Sequence, residues 1–172
     1  MFSKLLVALD QSSLSQVVWQ RALDLARTLN AQLKIVHVLS EVEVGYPPLM
    51  TVPDSGLYPG ISDVPIAEYQ QQCEAFERES LQQLQTHATE AVALGLQAEA
   101  TQTAGDPGRV ICDLAKTWNV DMILIGNRGR TGLTELLLGS VSNYVTHHAP
   151  CSVLVVRVPT QTDPKPSAIT SY

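Results

Sequence analysis

The stretch GNRGRTGLTELLLGS, Gly126 to Ser140, holds four of the chain's ten glycines in fifteen residues and directly follows the apolar run MILI. Glycines after a buried strand serve a tight turn, or they let a ligand approach the backbone without side-chain obstruction. The spacing is Gly126-x2-Gly129, then nine residues, then Gly139-Ser140. That is neither the Walker loop nor the GxGxxG dinucleotide fingerprint. A strand leading into Gly-x-x-Gly still presents amides suited to a phosphate. Gly139-Ser140 at a helix start adds free N–H groups, a favourable dipole and a hydroxyl. Two amide clusters of this kind could hold a di- or triphosphate. The same glycines could serve turns alone, and N-cap duty and phosphate contact use one geometry. Neither reading excludes the other.

The remaining reactive side chains point less clearly to chemistry. His147 and His148 precede Ala149-Pro150-Cys151, but adjacent histidines at a helix end diverge and serve solvation or the helix dipole better than a metal. His37 in an apolar run reads as a core or pocket-edge residue, Trp118 as helix packing, and Glu135 as a solvated acid. Arg128 and Arg130 are the only clustered cations, too few for a nucleic-acid face on a protein of net charge −6. Cys73, Cys112 and Cys151 are odd in number and lack CxxC spacing, which reads as reduced thiols in a cytoplasmic protein.

The elements that must position these groups follow from apolar patterning. At 172 residues, 45% hydrophobic and 16% charged, the sequence suits one globular domain, 1–158. No apolar run approaches the roughly 20 residues of a membrane helix, and the N-terminus is not patterned as a signal peptide. KLLVALD (Lys4–Asp10) and LKIVHVL (Leu33–Leu39) are continuous apolar runs, as in strands buried on both faces. Between them, Ser13 and Gln16 have capping-box spacing, followed by a stripe of Leu14, Val17, Val18, Ala22, Leu25, Ala26 and Leu29 up to about Asn30. Residues 40–65 contain five prolines and three glycines without a period, which reads as a long mobile loop. A helix from about Ile66 to Leu94 is stopped by Gly95. A strand follows over Leu96–Thr103, then a helix capped by Asp106 and opened by Pro107. Next come the strand DMILIGN, a short helix Ser140–His147, the strand CSVLVVRV (Cys151–Val158) and a disordered tail, 159–172.

Alternating strands and helices predict an α/β fold: an open, doubly wound, parallel five-stranded sheet with helices on both faces, Rossmann-like. Ligands in such sheets bind beyond the C-terminal strand ends at the switch point. Asp10, Leu39 and Gly126 lie near those ends.

KLLVALDQS, KIVHVL, GNRGRTGLTELLLGSVSNYV and APCSVLVVR together closely resemble the universal stress protein family, from Lys4 to Val158. Gly126, Gly129, Gly139 and Ser140 match its Gly-x2-Gly-x9-Gly-Ser motif, which marks the ATP-binding branch. The resemblance implies that Asp10 contacts the ribose, with Ala8 and Leu9 backing the pocket, and that the Val38 backbone reads the adenine edge. It further implies that Ile125 and Gly126 lie against the sugar, and that Arg128, Gly129, Gly139, Ser140, Val141 and Ser142 surround the phosphates. A strand-end turn acid is the alternative reading of Asp10, and Val38 could equally be plain core. The implied ligand is ATP or AMP, with a cyclic dinucleotide as a further candidate, and Mg2+ could accompany the phosphates. The resemblance also implies a homodimer through the last strand.

A hydrolase needs a base beside the terminal phosphate, and Asp10, Glu135 and the histidines are the only candidates. The reading is therefore a nucleotide-dependent regulator or sensor in a stress response, whose protein partner is unknown. The alternative is a slow ATPase or nucleotide-transferring enzyme of the same fold. A receiver-type signalling domain expects clustered acids, which a single Asp10 does not supply.

Overall fold

The computed structural model describes residues 2–41, 43, 45–47, 66–127 and 139–157. Its elements are β1 (Lys4–Ala8), α1 (Ser13–Leu29), β2 (Gln32–Leu39), α2 (Ile66–Ala93), β3 (Ala98–Ala104), α3 (Pro107–Trp118), β4 (Met122–Gly126), α4 (Ser140–His148) and β5 (Ser152–Val156). The strands form one sheet in the order β3-β2-β1-β4-β5, with every pairing parallel. The backbone winds outward from β1 to β3, crosses back to β4 and winds outward again to β5. The expected doubly wound sheet is therefore the observed one.

This winding explains the continuous apolar runs. Leu5, Val7, Leu33 and Ile35 face Val18, Trp19, Ala22 and Ala26 of α1 and Leu84 and Ala91 of α2. Leu6, Val36, Ile123 and Ile125 face Ile111, Cys112 and Ala115 of α3 and Val145 of α4. Successive strand residues point to opposite faces, so a strand covered on both must be apolar throughout. Each fully buried aliphatic side group contributes roughly 1.5–3 kcal/mol.

Helix ends follow local chemistry. Asp106 Oδ1 accepts the Arg109 N–H at 2.9 Å and Pro107 occupies the first turn of α3. Asn30 and Asn119 close α1 and α3 in the left-handed conformation, with φ of 52° and 50°.

Some expectations are corrected. β1 ends at Ala8, because the Asp10 N–H is donated to Ser15 Oγ at 2.9 Å and leaves the ladder. The N-cap of α1 is Ser12, and among the described residues no side chain caps this helix, so the Ser13/Gln16 capping box does not form. Ser12 Oγ instead donates to Asp10 Oδ1 at 2.5 Å. The buried face of α1 is Val18, Trp19, Ala22, Leu23 and Ala26, while Leu14, Val17, Leu25 and Leu29 are only partly buried. A helical stripe leaves its rotation open, and here the largest residue settles it. Trp19 is fully buried, and its indole N–H is satisfied by Glu90 Oε2 at 2.6 Å. β3 begins at Ala98, two positions after the expected Leu96.

The stretches 48–65 and 158–172, and thus the expected long loop beyond Pro47 and the tail, lie outside the described residues. Trp118 packs partly buried against the second cluster, as expected. His147 and His148 are exposed in the last turn of α4, where His148 Nδ1 pairs with Tyr144 O at 2.8 Å. Among the described residues no three His, Cys, Asp or Glu residues gather to hold a metal ion.

Candidate functional site

The strand order reverses between β1 and β4, whose ends lie side by side with Ala8 in register with Ile125. A crevice opens at such a switch point because the loops leaving the two strands run in opposite directions. Ala8, Leu9, Asp10, Val38, Ile125, Gly126, Gly139, Ser140, Val141 and Ser142 are described at or near these ends. Arg128 and Gly129, with Arg130 and Glu135, lie outside the described residues.

On the β1 side, Asp10 organises a turn. Its Oδ1 accepts the Ser12 N–H at 3.0 Å, the Ser12 hydroxyl at 2.5 Å and the Ser15 hydroxyl at 2.7 Å. The carboxylate thus fixes the entry to α1, the role expected of a strand-end turn acid. Leu9, 7% exposed, lies in the first core cluster, and Ala8 packs partly buried against the second.

On the β2 side, the parity of a parallel ladder decides where Val38 directs its backbone groups. Gln32 N–H donates to Ser3 O and Val36 O accepts from Leu9 N–H, so even-numbered residues of β2 face β1. The Leu9-to-Val36 bond, 3.0 Å, is the last rung before β1 leaves the sheet. The N–H and C=O of Val38 therefore point past the end of β1, while its isopropyl group is buried in the second cluster.

On the β4 side, Ile125 is buried and Gly126 ends the strand against α1. A Cβ on Gly126 would meet Leu14 Cδ2 at 2.8 Å and Val18 Cγ2 at 3.2 Å. The close approach that requires glycine here is that of the protein's own helix. Asn127 follows, donating its N–H to Val156 O of β5 at 2.8 Å and accepting the Gly139 N–H on Oδ1 at 3.0 Å. This bond draws the start of α4 to the end of β4.

Gly139, the N-cap of α4, has its N–H taken by Asn127, and its carbonyl accepts the Asn143 N–H at 2.8 Å. The amides of Ser140, Val141 and Ser142 are the first-turn donors that no intrahelical carbonyl reaches, and among the described residues no side chain caps them. Ser140 is exposed. Ser142 is 2% exposed, and its hydroxyl donates to Gly139 O at 3.0 Å, so Ser142 offers this end its amide and not its hydroxyl.

A polar network sits beside Asp10 on the α1/α2 face. Glu43 Oε1 accepts the Gln11 N–H at 3.1 Å and lies 2.7 Å from His37 Nε2. The Gln102 amide donates to His37 Nδ1 at 3.1 Å and to Ser80 Oγ at 2.6 Å. The His37 and Glu43 side groups are 2% and 4% exposed. Leu9, Asp10 and His37, with Ser12, Ser80 and His87, border a cavity of ≈ 200 Å³ between α1 and α2. Tyr46 packs edge-on to Phe76 at 5.4 Å, and burial, aided by a hydrogen bond with Cys73, pushes its hydroxyl up to about 12. His37 is thus the pocket-edge residue expected, with partners the sequence does not announce. Asn127 has a signal, an Asx residue directly after a strand and beside glycine. Glu43 and Gln102 have none, because their roles depend on contacts made only in the folded protein.

A five-stranded parallel sheet in this order, covered by helices on both faces, defines a Rossmann-like α/β protein. The sequence profile of the universal stress protein family matches residues 1–157, and this chain belongs to that family. Universal stress protein Sll1388 of Synechocystis sp. is 35% identical over 164 residues, covering 91% of this chain and 98% of that protein. Slr1101 of the same organism is 46% identical over 104 residues, 60% of this chain and 96% of that protein. Among solved structures, MJ0577 superposes with a TM-score of 0.70 at 21% identity, covering 94% of this chain and 99% of that one. A universal stress protein in complex with cAMP gives 0.57 at 23% identity, covering 91% and 97%. The Arabidopsis thaliana family protein At3g01520 with AMP bound gives 0.58 at 20%, covering 95% and 97%. At these identities the structural likeness speaks for the fold.

Proposed function

We propose that this protein binds an adenine nucleotide, ATP or AMP, across the switch point and acts as a nucleotide-dependent regulator in a stress response. What supports this reading is that the Val38 backbone edge, Asp10 and the first turn of α4 all stand on the C-terminal side of neighbouring strands around the switch point. Adenine presents an amine donor beside a ring-nitrogen acceptor, the complement of a backbone C=O and N–H. Asp10 supplies a carboxylate for ribose hydroxyls. The Ser140, Val141 and Ser142 amides, with the helix dipole behind them, suit phosphate oxygens. Arg128 and Gly129 complete the phosphate side in this reading, and Ile125 and Gly126 border the sugar. Relatives of the same fold carry AMP and cAMP. Mg2+ would enter with the phosphates.

The protein works as a homodimer through β5, the outermost strand, which leaves Leu154 exposed at a sheet edge. Free Cys73, Cys112 and Cys151 support a reducing compartment, the cytoplasm.

The test is mass spectrometry of ligand released from freshly purified, denatured protein, followed by calorimetric titration with ATP and AMP. An adenine nucleotide in near-stoichiometric amount is expected. No released nucleotide and no heat with either ligand would overturn the reading. Multiple-turnover phosphate release that both Asp10→Ala and Gly129→Val abolish would instead favour an enzyme. A monomer in sedimentation at micromolar concentration would count against the dimer.

A further inference from the structure

We infer that Glu43 is a positioning residue that keeps the base-reading edge of β2 open, a role that rests on the nucleotide reading above. In the β1–β2 ladder, Leu9 N–H donates to Val36 O. Two residues further along each strand, the same geometry would pair Gln11 N–H with Val38 O. That rung would close the carbonyl proposed to accept from the adenine amine.

Gln11 N–H is instead held by Glu43 Oε1 at 3.1 Å. Glu43 reaches this amide from just beyond the end of β2, so it acts across the two turns that leave the crevice. The carboxylate is fixed from its other side by His37 Nε2 at 2.7 Å. Because the Gln102 amide donates to His37 Nδ1, the ring proton lies on Nε2 and is directed at Glu43. Gln102 is braced in turn by Ser80, whose hydroxyl donates to Phe76 O at 2.8 Å. The network from α2 through β3 and β2 to the β1 turn is thus continuous.

Glu43 Oε2 is buried and has no hydrogen-bond partner among the described residues. An orphaned carboxylate oxygen opposes folding, so a purely structural latch would be served as well by a residue with a single acceptor. What a carboxylate adds is a charge-assisted acceptor, able to outcompete the Val38 carbonyl for one amide.

The experiment compares AMP with inosine monophosphate, whose six-position carbonyl cannot donate to Val38 O. Wild type should prefer AMP, and Glu43→Ala should lower that preference about tenfold, the value of one hydrogen bond. Glu43→Gln, which keeps an acceptor but loses the charge, should restore it only in part. Melting temperatures recorded alongside separate loss of fold from loss of discrimination. Through-hydrogen-bond NMR coupling adds a measurement on wild type alone, and Gln11 N should couple to the Glu43 carboxyl carbon. A Gln11 coupling to the Val38 carbonyl carbon in wild type would overturn the inference. So would a folded Glu43→Ala protein with an unchanged AMP preference. Wild type that binds neither AMP nor ATP would instead remove the nucleotide reading itself, and the inference with it.

Discussion

Asn127 Oδ1 accepts the Gly139 N–H at 3.0 Å, joining two residues twelve positions apart and bracketing the segment between them. The bond sets where the first turn of α4 stands relative to the end of β4. Asn127 N–H also binds Val156 O, so the same residue ties the clasp to the edge strand.

Asn127→Ala leaves the Gly139 N–H without its acceptor and should cost about 1 kcal/mol of stability. If the α4 amides hold phosphates, the variant should weaken ATP about tenfold while leaving adenosine nearly unchanged. Asn127→Asp keeps the acceptor but adds a negative charge, so its fold should persist while its ATP affinity falls. Calorimetric titration with ATP and adenosine, beside thermal melts, checks both variants. Equal weakening of the two ligands would show that Asn127 acts on the whole site and not on its phosphate end.

Gly126 and Gly108 are required by packing to different degrees. A Cβ on Gly126 meets the far end of Leu14, which can turn aside, and the buried Val18 Cγ2 at 3.2 Å, which must give slightly, so Gly126→Ala should cost about 1 kcal/mol. A Cβ on Gly108 would lie 2.7 Å from Tyr144 Cδ1 and 3.1 Å from its Cβ, and the Cβ cannot move without shifting α4 against α3. Gly108→Ala should therefore cost about 1–3 kcal/mol. Urea denaturation of the two variants should rank them in that order.

Asp121 ties the first strand to the fourth. Its Oδ2 accepts from Ser3 N at 2.7 Å, Ser3 Oγ at 3.0 Å and Lys4 N at 2.9 Å. The two backbone hydrogen bonds, then the hydroxyl, hold its carboxyl below the ordinary value of 3.8. A depressed carboxyl contributes stability that is present above the unfolded value and lost as pH falls through the folded one. Asp121→Asn should thus lower the melting temperature at neutral pH and flatten its decline below pH 3.8. An unchanged acid limb would assign that decline to other carboxylates.

His87 packs tilted against Trp19 with ring centroids 4.7 Å apart, and burial lowers its value below 6.5 despite the opposing charge of Glu90. The unfolded state then binds the proton more readily, so stability rises with pH up to about 6.5 and is level above it. His87→Gln should remove this slope without changing stability at about pH 8 through protonation. Melting temperatures of both proteins across that range test the sign.

Much of the architecture was legible in the sequence itself. Continuous apolar runs such as KLLVA and MILI demand cover on both faces, which only a parallel sheet between helix layers provides. Asp106-Pro107 marked a helix start and Gly95 a helix end, because each residue's own backbone chemistry suffices there. The glycine spacing from Gly126 to Ser140 marked the strand-to-helix connection at the switch point. What the sequence could not decide was everything that depends on which groups meet across elements. The rotation of α1 waited on where Trp19 found room and Glu90 an indole N–H. The opening of Val38 depends on Glu43 drawing off the Gln11 amide, and the glycine at Gly126 is required by Leu14 and Val18. Local periodicity constrains one element at a time. A hydrogen bond between residues far apart in sequence exists only once the tertiary structure has brought donor and acceptor within about 3 Å of each other.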